Sequence, residues 1–445
     1  MVSFPALLVY SLALVVLVNR YAAGILLRRR RTVAPPGGSS GEDEVNDDYQ
    51  PLVEVVVPMF NEGEGIRDTI ASLLAQTYPA HKLRVTIADD CSTDDSYQHA
   101  VAAASGKRHV RVQRMPRNMG KRRAINRVVR KSRAEIIVSV DSDVVVDKDA
   151  IRQLVRRFVS PRIAAVGGCV DIRNKHQNWL TRMQTIKYFF GYSFLKSRER
   201  SYRSVLCLSG CLTAYRRSVL LELERLLENR SVLGVPIKYG EDRFLTRQIV
   251  KAGYQTTMTH DAVCKTYAPA SLEAYFAQQL RWRRSNIIDY ISGLSHVWKL
   301  HPVVAIQYFT LFSLLLSYPV LVFDHLRTGT IFPVLAVHCS IMAACGFYYR
   351  WHVRHLPAEE KVSAFSLAPI AAVITVTYGI LTIVALFTLD CGKWETRRHE
   401  AADDEPALDP LVASHGPAVA TLSETVSTGA GEPATQVASA KVRAA

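Results

Sequence analysis

Val53-Glu54-Val55-Val56-Val57-Pro58-Met59-Phe60-Asn61-Glu62 decides the fold. Val53 and Val55 to Val57 do not alternate with polar residues, which is the composition of a central parallel strand buried on both faces. Further strands read near Val85 to Ala88, Val110 to Val112 and Ile136 to Val140. Between them lie helical patterns over 66–75, from Tyr97 to Ala104 and, strongly basic, after Gly120. This alternation predicts an α/β domain with a mostly parallel sheet that presents its ligands at the carboxyl ends of its strands.

Outward from this core the composition changes twice along the 445 residues. The apolar run Val2 to Val18 precedes the first dense positive charge, Arg28 to Arg31. A cleaved signal peptide has the opposite order, so residues 1–27 read as one anchor helix with its amino end outside. Residues 28–50, with Pro35-Pro36, Gly37-Gly38 and Ser39-Ser40, read as a flexible linker. The α/β domain with its interfacial helices occupies 51–295. Over 296–390 three apolar stretches, Val303 to Phe323, Ile331 to Tyr349 and Leu367 to Leu389, are each long enough to span a bilayer. The basic loop Arg350 to Lys361 is expected inside. The tail, 391–445, has too little apolar content past residue 401 to fold.

The formal charge is +15, from 55 Lys and Arg against 40 Asp and Glu. Twelve of those cations and no Asp or Glu fall between Lys107 and Arg133. No Tyr, Trp or Phe interleaves them, so the stacking that single-stranded nucleic acid requires is missing. The eight cysteines form no C-x-x-C or His-flanked cluster and read as reduced, mostly buried thiols rather than zinc ligands or nucleophiles.

The chemistry sits at predicted strand ends. Asp89-Asp90-Cys91-Ser92 follows the second strand, and its carboxylates can accept from a uracil N–H and a ribose hydroxyl, though Asn61 and Asp89 could equally be helix caps. Lys121 and Arg122 open a helix after Gly120, a suitable cradle for a diphosphate. Asp141-Ser142-Asp143 ends strand Ile136 to Val140, and two carboxylates one residue apart can jointly hold Mg²⁺ or Mn²⁺. Within Gly240-Glu241-Asp242-Arg243, Asp242 is the candidate general base for activating an acceptor hydroxyl, with Glu241 second. The alternative is an acidic first helical turn. In Gln278-Gln279-Leu280-Arg281-Trp282, Arg281 can grip a departing diphosphate and Trp282 can stack on a sugar. A juxtamembrane Trp and Arg belt would look the same.

Taken in order, VPMFNE (57–62), DDCS (89–92), GKRRA (120–124), DSD (141–143), LSGCLTAYRR (208–217), GEDRFLT (240–246) and QQLRW (278–282) resemble processive family 2 glycosyltransferases. Among these the chain looks most like bacterial hyaluronan synthases, with the rhizobial nodulation chitooligosaccharide synthases near. The resemblance implies a GT-A-type nucleotide-sugar-binding domain in the inner membrane, its catalytic face cytoplasmic. It implies UDP-sugar donors and a growing polysaccharide as acceptor and no nucleic acid. Implied roles are uridine contacts for Asp89 and Asp90, diphosphate contacts for Lys121 and Arg122, and metal and donor contacts for Asp141 and Asp143. The base would be Asp242, and Gln278, Arg281 and Trp282 would meet the leaving group and acceptor. The expected product is hyaluronan, from UDP-GlcNAc and UDP-GlcUA. Chitooligosaccharide from UDP-GlcNAc alone, or one sugar added to a lipid phosphate, are the alternatives. Three features depart from the hyaluronan synthases: Cys211 replaces a usual Pro, a single amino-terminal span replaces two, and Trp394-Glu395-Thr396-Arg397 carries Glu in place of Gly.

Overall fold

The computed structural model of the protein describes residues 4–31 and 44–390, apart from Asn229, Leu233, Gly234 and Lys238. Most of the expected linker, Leu233-Gly234, the Trp394 segment and the tail lie outside the described residues. Strands β1 (Val53–Met59), β2 (Leu83–Asp89), β3 (Val110–Arg114), β4 (Ile136–Val140), β5 (Val145–Val146), β6 (Ile163–Ile172) and β7 (Leu212–Arg216) are followed by a small hairpin, β8 (Ser231–Val232) and β9 (Val235–Pro236), and by β10 (Gln255–Thr266). All but the hairpin join one sheet in the order β3-β2-β1-β4-β7-β6-β10-β5. The run from β3 to β4 is parallel, as is the β6–β10 pair, while β7 and β5 run the other way. The mostly parallel α/β sheet is therefore present.

The valine strand β1 is buried along its whole length. That burial includes Glu54, whose carboxylate accepts from Thr86 Oγ1 at 2.7 Å and from the Arg111 guanidinium at 2.9 Å. A charge inside the sheet is tolerable only because β2 and, one strand further out, β3 supply donors to it. Helices α1 (Phe4–Arg31), α2 (Ile66–Leu74), α3 (Ser96–Ala104), α4 (Lys121–Lys131), α5 (Ala150–Val155), α6 (Trp179–Phe189), α7 (Ser197–Arg200), α8 (Arg217–Glu228), α9 (Glu241–Lys251) and α10 (Leu272–Gly293) complete the first part. Asn178 and Thr181 make a reciprocal capping box at the start of α6, and Ser271 caps α10 by accepting from Ala274 N–H.

Among the described residues two helices are long and apolar enough to cross a membrane, α11 (Pro302–Arg327) and α12 (Ile331–His352). The third expected span is not one straight rod. Ala358–Leu367 and Ile370–Leu386, the latter holding α13 (Ile370–Ile374) and α14 (Leu381–Leu386), meet at a bend of 66°. Counted as one broken span the pair makes three; as a re-entrant turn it leaves two. Pro369 lies at the break, where it has no N–H to continue the helical hydrogen-bond ladder and its ring crowds the preceding turn. At the other end, among the described residues, the apolar part of α1 runs over Phe4–Val16. It lies along α11: Ala6 and Val9 bury against Tyr318, Leu321 and Val322, and Asn19 Nδ2 donates to the Val303 carbonyl at 3.0 Å.

Ionic contacts tie the membrane helices to the sheet domain. In the loop after α12, Glu360 accepts from Lys175 at 2.7 Å and from Lys265 at 3.0 Å, and the His176 ring meets the Glu359 carbonyl at 2.8 Å. The basic loop therefore lies on the same side as the sheet. Deeper in, Arg247 of α9 donates to Asp289 of α10 at 2.7 Å, and Tyr308 of α11 donates to the Asp289 and Tyr290 carbonyls. Asp289→Ala leaves Arg247 buried without its anion. The expected cost is about 3–5 kcal/mol, read as a lower thermal unfolding temperature of the detergent-solubilised chain. Adding Arg247→Met should recover part of the loss.

Candidate active site

The carboxyl ends of β1, β2 and β4 lie side by side, and each turn is locked to the next by side chains. Asn61, at φ 49°, takes the left-handed conformation and donates its N–H to Ser92 Oγ at 3.1 Å. Ser92 in turn donates to Asp89 Oδ1 at 2.5 Å. Ser142 Oγ donates to Glu62 Oε2, and its carbonyl accepts from Thr69 Oγ1. Ser142 is thereby turned inward and buried, while Asp141 and Asp143 on either side of it stay partly open.

The two predicted uridine contacts part company here. Asp89 Oδ2 is buried and makes no hydrogen bond, although Arg114 Nε lies 3.4 Å away. Asp90 is committed to the backbone: its two oxygens accept from the N–H groups of Met119 and Gly120 at 2.8 and 2.7 Å. It therefore fixes the turn from which α4 starts. The two predicted diphosphate residues also separate. The Lys121 ammonium lies 2.6 Å from Asp141 and 3.3 Å from Glu241. Arg122 instead spends its terminal N–H groups on the Leu227 and Ile237 carbonyls at 3.0 and 2.6 Å.

Because β7 runs against β4, with Leu212 opposite Val140, the residues just before β7 arrive beside Asp141. A Cβ on Gly210 would lie 3.2 Å from Lys121 Nζ and 3.4 Å from Asp141 Oδ2, so a side chain there would press on that pair by a few tenths of an ångström. Cys211 lines the same wall. Burial first, and then the charges of Asp141 and Asp143, push its thiol far up, which keeps it protonated.

Gly240 begins α9 in the left-handed region at φ 67°, its carbonyl held by Arg230 at 3.0 Å. The start of α9 delivers Glu241 and Asp242 to the crevice with opposite electrostatics. Burial raises the pKa of Glu241, but the Lys121 ammonium, its own backbone N–H and Arg122 outweigh it, and the net shift is downward. Asp242 moves the other way: burial raises it, and the Glu241 charge raises it further. Two adjacent carboxylates with their pKa values forced apart are the arrangement in which one holds a charge and the other exchanges a proton. Lys121 is held far above the lysine range because Asp141 and Glu241 outweigh its burial.

The remaining wall comes from α6 and α10. Trp282, 36% exposed, has its ring centroid 6.4 Å from that of Tyr188, and Arg281 and Asp143 both bear electrostatically on the Tyr188 phenol. Gln278 accepts from Gln279 Nε2 at 3.4 Å. The fold thus gathers Lys121, Asp141, Asp143, Glu241, Asp242, Arg281 and Trp282 around one crevice. It also adds Lys187 and Tyr188, which no motif singled out, and brings Gly210 and Cys211 of the 208–217 motif to the same wall. A lysine set among Ile186, Tyr188, Phe189 and Phe190 was the one signal in the sequence for Lys187 and Tyr188.

With this geometry in hand, comparison with known proteins is informative. The family model described as glycosyltransferase like family 2 matches residues 50–285. An N-acetylglucosaminyltransferase of Azorhizobium caulinodans is 36% identical over 242 residues, 54% of this chain and 60% of its own length. A hyaluronan synthase of Streptococcus pyogenes is 32% identical over 260 residues, 57% of this chain and 61% of its own. The chain thus spans about three fifths of the length of the curated relatives it matches. In fold it is similar to a mannosyltransferase from Pyrobaculum calidifontis in complex with GDP-Man and Mn²⁺. The TM-score is 0.54 at 20% identity, covering 84% of this chain and 99% of that one.

A Cβ at Gly240 would land on Ser285 Oγ and 2.8 Å from Ser285 Cβ, on top of the left-handed backbone. Gly240→Ala is expected to lower the thermal unfolding temperature. Ser285→Gly on the same chain should relieve the overlap but leave the backbone strain of about 1–2 kcal/mol.

Proposed function

We propose, from the premise that this chain belongs to the glycosyltransferases like family 2, that it is a membrane-associated inverting β-glycosyltransferase that builds a polysaccharide. It adds N-acetylglucosamine from UDP-GlcNAc and, as the second sugar of hyaluronan, glucuronate from UDP-GlcUA. The observation that carries this reading is the Lys121 ammonium bridging Asp141 and Glu241 with Asp242 alongside.

Asp89 Oδ2, buried with no hydrogen bond of its own, is the acceptor for a uracil N–H. Asp90 supports the donor site indirectly, through the turn that aims Lys121. Asp141 and Asp143 would hold Mg²⁺ or Mn²⁺. Their carboxylates suit a hard cation, and Asp141 already carries a cation in the Lys121 ammonium. Among the described residues no group of three or more His, Cys, Asp or Glu converges, so diphosphate and water oxygens would complete the shell. The ion when bound neutralises the departing diphosphate.

Asp242 takes the proton of the acceptor hydroxyl as that oxygen attacks the anomeric carbon from the side opposite UDP, which inverts the linkage. Glu241 stays ionised against Lys121 and makes a second negative charge on Asp242 costly, which strengthens it as a base. Lys121 and Arg281 face the leaving diphosphate, and Trp282 offers an aromatic face to the acceptor sugar. The basic loop Arg350 to Lys361 lies against the sheet domain, which supports a cytoplasmic placement of the crevice.

A second reading, chitooligosaccharide made from UDP-GlcNAc alone, is favoured by the greater identity to the N-acetylglucosaminyltransferase than to the hyaluronan synthase. Membranes carrying the chain, given both labelled donors and Mg²⁺ or Mn²⁺, are expected to yield a hyaluronidase-sensitive polymer. A chitinase-sensitive product from UDP-GlcNAc alone would select the second reading, and a single sugar on a lipid phosphate would refute both.

Asp242→Asn should lower transfer by about 10²–10⁴-fold while the chain still retains UDP with Mn²⁺. Because the base must be deprotonated and its pKa is raised, transfer should fall on the acid side of a pH profile at a pH above the ordinary Asp value of about 3.9.

A further inference from the structure

The α6 wall holds a cation that none of these steps uses. Lys187 Nζ donates to Gln279 Oε1 at 2.7 Å and to Tyr275 Oη at 3.2 Å. It lies 5.2 Å from the Tyr275 ring centroid and 5.7 Å from that of Trp282. All these partners are neutral. One helical turn beyond Gln279, the buried Arg283 packs over the Tyr378 ring at 3.7 Å, and its Nε has no hydrogen-bond partner. Burial first, and then the Arg283 charge, lower the Lys187 pKa to about 7, and among the described residues no carboxylate offsets them.

Two other cations of this domain are matched by anions, Arg247 by Asp289 and Lys121 by Asp141, and the buried Arg230 is held by the Tyr239 and Gly240 carbonyls. That matching is what the cost of desolvating a charge demands. At Lys187 the protein leaves the anion out, although the side chain is only half buried and sits beside the partly exposed Trp282. A sugar stacked on Trp282 brings its ring substituents within reach of the ammonium, and a carboxylate there would supply the missing charge.

The geometry points to Lys187 as the residue that recognises an acidic sugar, the carboxylate of a uronic acid unit in the acceptor chain seated on Trp282. This rests on the reading of the crevice as a polysaccharide acceptor site, and it identifies the side chain that favours an acidic polymer over a neutral one. A purely structural Lys187, clamping α6 to α10 through Gln279, would show no preference for charge in the ligand.

The test uses the full chain in lipid nanodiscs with labelled oligosaccharides of equal length, one set alternating N-acetylglucosamine with glucuronate and the other N-acetylglucosamine only. The wild type is expected to bind the acidic set about tenfold more tightly. Lys187→Gln should reduce that preference to near unity, and Lys187→Arg should keep most of it. An equal affinity for the two sets in the wild type, or a preference that survives Lys187→Gln, overturns the proposal. Should Lys187→Gln not fold, the wild type decides through salt. A preference unchanged between about 0.05 and about 0.5 M salt is not an ion pair at this half-buried site and refutes the assignment. UDP retention with Mn²⁺ is measured on the same samples. Its absence in the wild type defeats the glycosyltransferase reading itself, whereas its presence without an acidic preference defeats only the role of Lys187.

Discussion

The Lys121 ammonium, shared between Asp141 at the end of β4 and Glu241 at the start of α9, is the contact on which the crevice depends. Asp141 and Glu241 both touch that ammonium and Asp242 bears on it electrostatically, and without the cation the repulsion among these carboxylates at low dielectric would be costly. The lysine is aimed by backbone geometry. Asp90 accepts from two consecutive N–H groups, Gly120 takes a positive φ of 85°, and α4 starts with Lys121 at its first position. Gly210 then keeps the space beside the pair open. The ammonium thus joins the end of β4 and the starts of α4 and α9 into a single electrostatic unit.

The same unit reaches toward the membrane segments. The helix that carries Glu241 and Asp242 also carries Arg247, which is paired with Asp289 on α10, and Asp289 is braced in turn by Tyr308 on α11. A second route runs from Gln307 of α11 to the buried Glu199 of α7 at 2.7 Å. Trp282 and Arg281 lie on α10 between these anchors, so a shift of α11 would be felt at both the base and the acceptor wall. The Glu360 contacts to Lys175 and Lys265 hold the other side, where the bent segment after α12 meets β6 and β10.

Part of the sheet could be read in advance because β1, β2 and β4 each hold a short, mostly apolar run closed by polar residues. Ile136 to Val140 matches β4 residue for residue, and Val53 to Val57 falls inside β1. What could not be read was a charge inside such a run. Glu54 is stable only because Thr86 and Arg111, 32 and 57 residues away, turn their donors to it. The reversal of β7 was equally hidden, since strand direction leaves no mark on composition, and with it went the placement of Gly210 and Cys211. The third apolar stretch read as one span because hydropathy counts residues and not their path, whereas Pro369 breaks the helix there.

The sequence by itself determined the α/β class, the order of the strand-end motifs and the residues able to carry acid, base and cation chemistry. Side-chain type and two-residue or helical periodicity are local properties, and they survive without knowledge of the fold. Only the tertiary structure decided which member of each motif faces the crevice. It turned Asp90 and Arg122 onto backbone N–H groups and carbonyls, set Lys121 between Asp141 and Glu241, and brought Lys187 beside Trp282. Those choices depend on which hydrogen-bonding partner arrives from a distant segment, and no local pattern encodes that arrival.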